Sequence, residues 1–164
     1  MNNRFSLAGT AAVLAIAVAV GSGLAPSGAA TPGETVKLRQ ETMKQLGGHM
    51  KAIKTFLETG EGSAADVAAR ASEIGDIAAR IPTLFPKGTG MNDVADPKSG
   101  AKPEIWLEWD KFTKAAQNLT GKAVALKGAA SENGEREMIA AAFEDMGEDG
   151  CGSCHKPYRQ KLDK

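Results

Sequence analysis

"PEIWLEWDKFTKAAQNLTGKAVALKG", residues 103–128, places apolar side chains at Ile105, Trp109, Phe112, Ala116, Leu119, Ala123 and Leu126. The steps alternate between four and three residues, the period at which one face of an α-helix returns to the same partner. Pro103 stands at the head of the run, where a first helical turn tolerates a residue without an N–H. A long amphipathic helix is the reading, and its neighbours must supply something for the stripe to pack on.

The same rhythm extends in both directions. From Gly33 onward, Val36, Met43, Leu46, Met50, Ile53 and Leu57 recur at steps of three, four and seven, leaving Lys37, Gln45, Lys51 and Lys54 for the opposite face. "ETGEGS" (58–63) ends that helix with Gly and polar residues. A second helix runs from about Ala64 to Leu84 on Val67, Ala71, Ile74, Ala78 and Ile81, with Pro82 near its end to bend or stop it. The Gly- and Pro-rich residues 85–103 form the one long connection, and loops of this length usually serve a function or lack order. After "KGAASENGE" (127–135), a fourth helix starts near Glu135 on Ile139, Phe143 and Met146. Four such helices with mostly short links predict an all-α protein, an antiparallel up-down four-helix bundle.

Residues 1–30 are set apart from this domain. Arg4 precedes the apolar run "LAGTAAVLAIAVAV" and the small-residue stretch "GSGLAPSGAA", the pattern of a cleaved export signal ending at Ala29 or Ala30. The apolar run is short for a membrane span, so no membrane anchor is expected, and 31–164 form the mature domain. Removing the signal takes out Arg4 and no acid, leaving 19 basic against 20 acidic side chains. That balance gives no support for nucleic acid or an anionic membrane as partner. Export points to the periplasm.

The chemistry lies in "EDGCGSCHKPYRQ", residues 148–160, which holds both cysteines and one of the two histidines. On a helix, Cys151 and Cys154 share a face, and His155 follows Cys151 by four. That spacing suits one haem c held by two thioethers, with the imidazole bonding iron from one side. A disulfide across so short a loop would add little stability. A redox dithiol would want a βαβ context, and a zinc site would need a fourth donor with only His49 left to offer one.

The mature chain resembles the cytochrome c′ family, the class II cytochromes c, from about residue 33 to 163. "VKLRQETMKQLGGHMKAI" (36–53), "FPKGTG" (85–90), "AKPEIW" (101–106) and "CGSCHKPYR" (151–159) carry the likeness. The resemblance implies that Cys151 and Cys154 attach the haem and that His155 is the proximal ligand. It implies that Arg159 lies beside the proximal imidazole, that Arg39 and Gln40 line the haem and its propionates, and that Thr89 contacts the haem edge. It also implies a homodimer. Pro157 departs from a continuous helix, so a kink after His155 is expected.

Met43 falls at the family position facing the other side of the haem, and two functions follow from it. As an iron ligand, the main reading of the sequence, it would give a low-spin His/Met centre for single-electron transfer with a periplasmic redox partner protein. As an apolar blocker, it would leave a high-spin iron that binds nitric oxide or carbon monoxide. A core methionine often simply fills space. Met50, Met138 and Met146 read as core, His49 as a surface residue, and "NLT" (118–120) as a chance match to a glycosylation acceptor. Trp106 and Trp109 stand near each other as candidates for an electron exit, with packing as the simpler role for Trp109. No hydrolytic constellation is apparent, so no enzyme is expected.

Overall fold

The computed structural model describes residues 30–132 and 134–162; the export signal expected at 1–30 lies outside the described residues but for Ala30. Helix α1 spans Pro32–Thr59, and its start is fixed by a reciprocal cap. The Thr31 hydroxyl accepts from the Glu34 N–H at 3.2 Å while the Glu34 carboxylate accepts from the Thr31 N–H at 2.7 Å. Gly60, with φ of 77°, closes the other end by donating to the Phe56 carbonyl, a backbone conformation that favours glycine. Helix α2, Ala64–Arg80, opens on the same kind of box between Ser63 and Asp66. Caps of this type contribute about 1 kcal/mol each.

Pro82 does stop the second helix: Ile81–Leu84 tighten into a single 3₁₀ turn. The third helix departs from expectation. A short α3, Glu104–Leu107, ends where Glu108 leaves helical geometry (φ −120°, ψ 41°), and α4 runs from Trp109 to Glu132. The break turns a single member of the stripe outward. Ile105, Phe112, Ala116, Leu119, Ala123 and Leu126 are buried as expected, whereas Trp109 is turned out to 37% exposure and only leans on Phe112. Trp106 is half-buried, and its ring N–H donates to the Phe85 carbonyl at 3.0 Å.

The fourth rod is built from α5 (Arg136–Asp145), a widened π-helical turn over Met146–Cys151, and α6 (Gly152–Tyr158). Ile139 and Met146 face the core. Met138, expected there too, is exposed because it sits about 100° round the helix from Ile139. Pro157 lies inside α6, and the chain becomes extended at Arg159, so the helix stops there instead of kinking and continuing.

These rods form the four-helix bundle, with α2 and α4 packed face to face. Val67, Ala71, Ile74 and Ala78 are buried against α4, and each large apolar side chain so buried contributes roughly 1.5–3 kcal/mol. The two helices are in contact range at Gly75, where a Cβ would meet that of Ala123 at an ordinary 3.6 Å. Among the described residues, no helix is long and apolar enough to cross a membrane. Among the described residues, extended pairing is confined to an isolated bridge between Ala101 and Arg159.

Candidate haem-binding site

A cavity of about 910 Å³ opens between the first half of α1, the end of the long loop and the C-terminal rod. Cys151, Cys154 and His155 line one wall, on the π-turn and α6. Met43, Leu46 and Met50 line the wall from α1, and Phe85, Ile105, Phe112 and Leu119 close the interior. Phe112 holds this end together, meeting Phe85 and Tyr158 edge-on at ring separations of 4.8 and 5.5 Å. The volume falls at the upper end of the roughly 300–1,000 Å³ typical of ligand sites.

The π-turn positions the cysteines. The Gly152 N–H donates to the Gly147 carbonyl five residues back, an expansion that recurs at functional sites. Gly150 permits it to lie against α4, because a Cβ there would stand 3.0 Å from Leu119 Cδ1. Asn118 on α4 donates its amide to the Asp149 carbonyl at 2.8 Å, and Lys122 pairs with Asp145 at 2.7 Å. The amide of the "NLT" stretch is thus engaged in holding the turn. The run "GEDGCG" (147–152) was the sequence signal for this widening, since glycines invite close approach.

Burial pushes the thiols of Cys151 and Cys154 up, keeping them protonated near neutral pH. His155 is shifted the other way, first by burial and then by the neighbouring positive charge of Arg159. A neutral imidazole, the form that can bind a metal, is thereby favoured.

Arg39 occupies a stripe position, three residues after Val36 and four before Met43, and is only 5% exposed. Its guanidinium donates to the Thr89 carbonyl at 2.8 Å, the Ser99 hydroxyl at 2.9 Å, the Thr89 hydroxyl at 3.3 Å and the Leu84 carbonyl at 3.4 Å. It also lies over the Phe85 ring, 4.4 Å from the centroid. All these partners are neutral, and burial pushes the group down to about 10. A buried cation without a carboxylate, on the wall of an apolar cavity, suits an anionic ligand edge such as a haem propionate.

Gln40 lines the same cavity and donates to the Lys98 carbonyl at 2.9 Å. Thr89, expected at the haem edge, instead lies behind Arg39 as its acceptor and is not among the cavity-lining residues. The long loop is accordingly ordered around the Arg39 side chain. Its end pairs with the C-terminal segment, where the Gln160 N–H donates to the Gly100 carbonyl at 2.8 Å. Only glycine fits at 100, since a Cβ would approach Gln160 O to 2.5 Å.

The cavity, the paired thiols, the neutral imidazole and the unpaired guanidinium fit a covalent haem c. Among the described residues, no cluster of three or more His, Cys, Asp or Glu assembles as a metal site. His49 turns to α2, its Nδ1 lying 3.2 Å from Glu73 Oε2 but out of line for a hydrogen bond.

The family model for cytochrome C′ matches residues 34–159. This chain belongs to the cytochrome c′ family. It is 30% identical over 131 residues to the cytochrome c′ of Rhodospirillum rubrum, an alignment covering 80% of this chain and 85% of the relative. The solved cytochrome c′ described by its ligand-controlled dimer dissociation is 37% identical, with a TM-score of 0.73, and the match covers 82% of this chain and all of that one. A carbon-monoxide-bound variant of the cytochrome c′ of Alcaligenes xylosoxidans is 28% identical at a TM-score of 0.67, covering 80% of this chain and 98% of that one. As a cytochrome c′ family member, the protein is a c-type haem protein. The described side chains of the expected set, apart from Thr89, converge on the cytochrome c′ cavity: Arg39, Gln40, Met43, Cys151, Cys154, His155 and Arg159. Sequence reasoning missed Lys44, Lys161 and Leu162, which also line it.

Proposed function

We propose that this cytochrome c′ binds small diatomic gases, nitric oxide or carbon monoxide, with Met43 as the gate to the binding face. The observation that carries the reading is the make-up of the α1 wall. Met43, Leu46, Gly47 and Met50 line it, and the only other imidazole in the chain, His49, is turned toward Glu73. With Gln40 held by the Lys98 carbonyl and Lys44 exposed at the mouth, the donors left on the interior of this wall are thioethers, which hold iron weakly enough to be displaced or not to bind at all. The Alcaligenes relative solved with carbon monoxide bound supports the same reading, the second of the two functions that Met43 allows.

Bound through Cys151 and Cys154, the haem supplies the iron that takes the gas. His155 offers a neutral imidazole from α6, which Arg159 helps to keep unprotonated. Arg39 neutralises a propionate and holds the loop against α1. The apolar side chains of Leu46, Phe85 and Phe112 exclude water from the interior. The protein acts in the periplasm after its export signal is removed, as a binding protein and not a turnover enzyme. A homodimer is part of the proposal, in keeping with the relative whose dimer dissociates under ligand control.

The test is the optical spectrum of the holoprotein, ferric and ferrous, before and after carbon monoxide. A high-spin spectrum that shifts with the gas, and gas affinity that changes in Met43→Ala, is the expected result. A low-spin spectrum indifferent to the gas, made responsive by Met43→Ala, would instead make Met43 the iron ligand and electron transfer the function.

A further inference from the structure

Among the described residues that line the cavity, the charged side chains are all of one sign. Arg39, Lys44, Arg159 and Lys161 line it, and no Asp or Glu does. This is a local excess on a chain whose acidic and basic side chains number 20 each. Lys54, Lys102, Lys111 and Lys122 each lie within 4.0 Å of a carboxylate. Among the described residues, none of the four mouth cations does. Three of them, Lys44, Arg159 and Lys161, are exposed, and Lys98, whose carbonyl holds Gln40, is exposed on the same rim. Leu162 adds an apolar side chain, 44% exposed, beside them.

We infer that this rim is the docking surface for an acidic electron-donor protein, which reduces the haem through the cavity mouth. The inference rests on the haem reading above and adds the chemistry of the partner. Two propionates reduce the positive excess without cancelling it. A near-neutral protein with one basic patch steers a partner bearing a matching acidic patch, whereas it has no extended field for a long polyanion. One electron leaves the reduced donor and enters the haem, and no atom or proton is transferred.

Reduced flavodoxin, an acidic flavoprotein, serves as the probe, its reaction with ferric holoprotein followed by stopped flow. The second-order rate constant should fall about tenfold or more between about 10 mM and about 500 mM ionic strength. Lys44→Glu with Lys161→Glu should lower the low-salt rate about tenfold and flatten the salt dependence, while Lys127→Glu, on the side facing α2, should stay within about twofold. A rate indifferent to salt, or an equal loss in Lys127→Glu, would overturn the inference. So would binding to phosphatidylglycerol vesicles that the rim substitutions abolish, because the rim would then be a membrane contact. Carbon monoxide titration of the same variants separates the two proposals. Loss of gas binding in the unsubstituted protein overturns the gas reading and leaves the salt result standing.

Discussion

Helices α1 and α2 carry apolar stripes of the same period, yet they meet different surroundings. In α2, Val67, Ala71, Ile74 and Ala78 are at most 1% exposed because α4 fills the space opposite. In α1, Met43, Leu46 and Met50 stay half-exposed because a cavity of about 910 Å³ lies before them. A periodic stripe thus reports only that a face is withdrawn from water. Whether side chains or a prosthetic group cover it depends on what the other helices bring there. One stripe is complete as folded, and the other is half of a site.

The contrast is broken most directly by removing the attachment. Cys151→Ala with Cys154→Ala should abolish covalent haem, read by haem staining after denaturing electrophoresis. Amide exchange should then rise by orders of magnitude across the first half of α1 and stay slow across 67–78 in α2. Equal loss in both helices would mean that the α1 stripe is no more dependent on haem than the α2 stripe.

Single truncations sharpen it. In urea unfolding of the holoprotein, Ile74→Ala should cost about 2–5 kcal/mol, the usual range for emptying a packed site. Met43→Ala should cost about 1 kcal/mol or less, since a half-exposed cavity wall loses fewer contacts. Similar values for the two would remove the distinction between a packed wall and an open one.

An effect between those two is expected where the site meets the loop. Arg39→Met should cost roughly 1–3 kcal/mol, because the Thr89 and Leu84 carbonyls and the Ser99 hydroxyl lose a donor. Limited proteolysis should then cut within 86–102 faster than in the unsubstituted protein. An unchanged cleavage rate would show that Arg39 does not order the loop.

Much of this was legible in residue order. The stripes of α2 and α4 read correctly because regular spacing and burial against another helix coincide there. Cys151 and Cys154 read correctly as the haem attachments, and His155 falls on the same cavity wall, because a helix converts local spacing directly into shared direction. Trp109 and Met138 were misjudged, since a break of one residue or a rotation of about 100° moves a side chain out of the core. Thr89 lies off the cavity lining behind Arg39, a layering that sequence order does not give.

By itself, then, the sequence determined the all-helical bundle, its connections and the haem-attachment triplet. These depend on periodicity, caps and spacing, all properties of neighbouring residues along the chain. Tertiary structure alone decided that Arg39 would be buried without a carboxylate, that Asn118 and Lys122 would hold a π-turn under the cysteines, and that the mouth cations would stand together. Each joins residues from 23 to more than 110 positions apart, and only packing in three dimensions sets which of their charges and hydrogen-bonding groups end up paired.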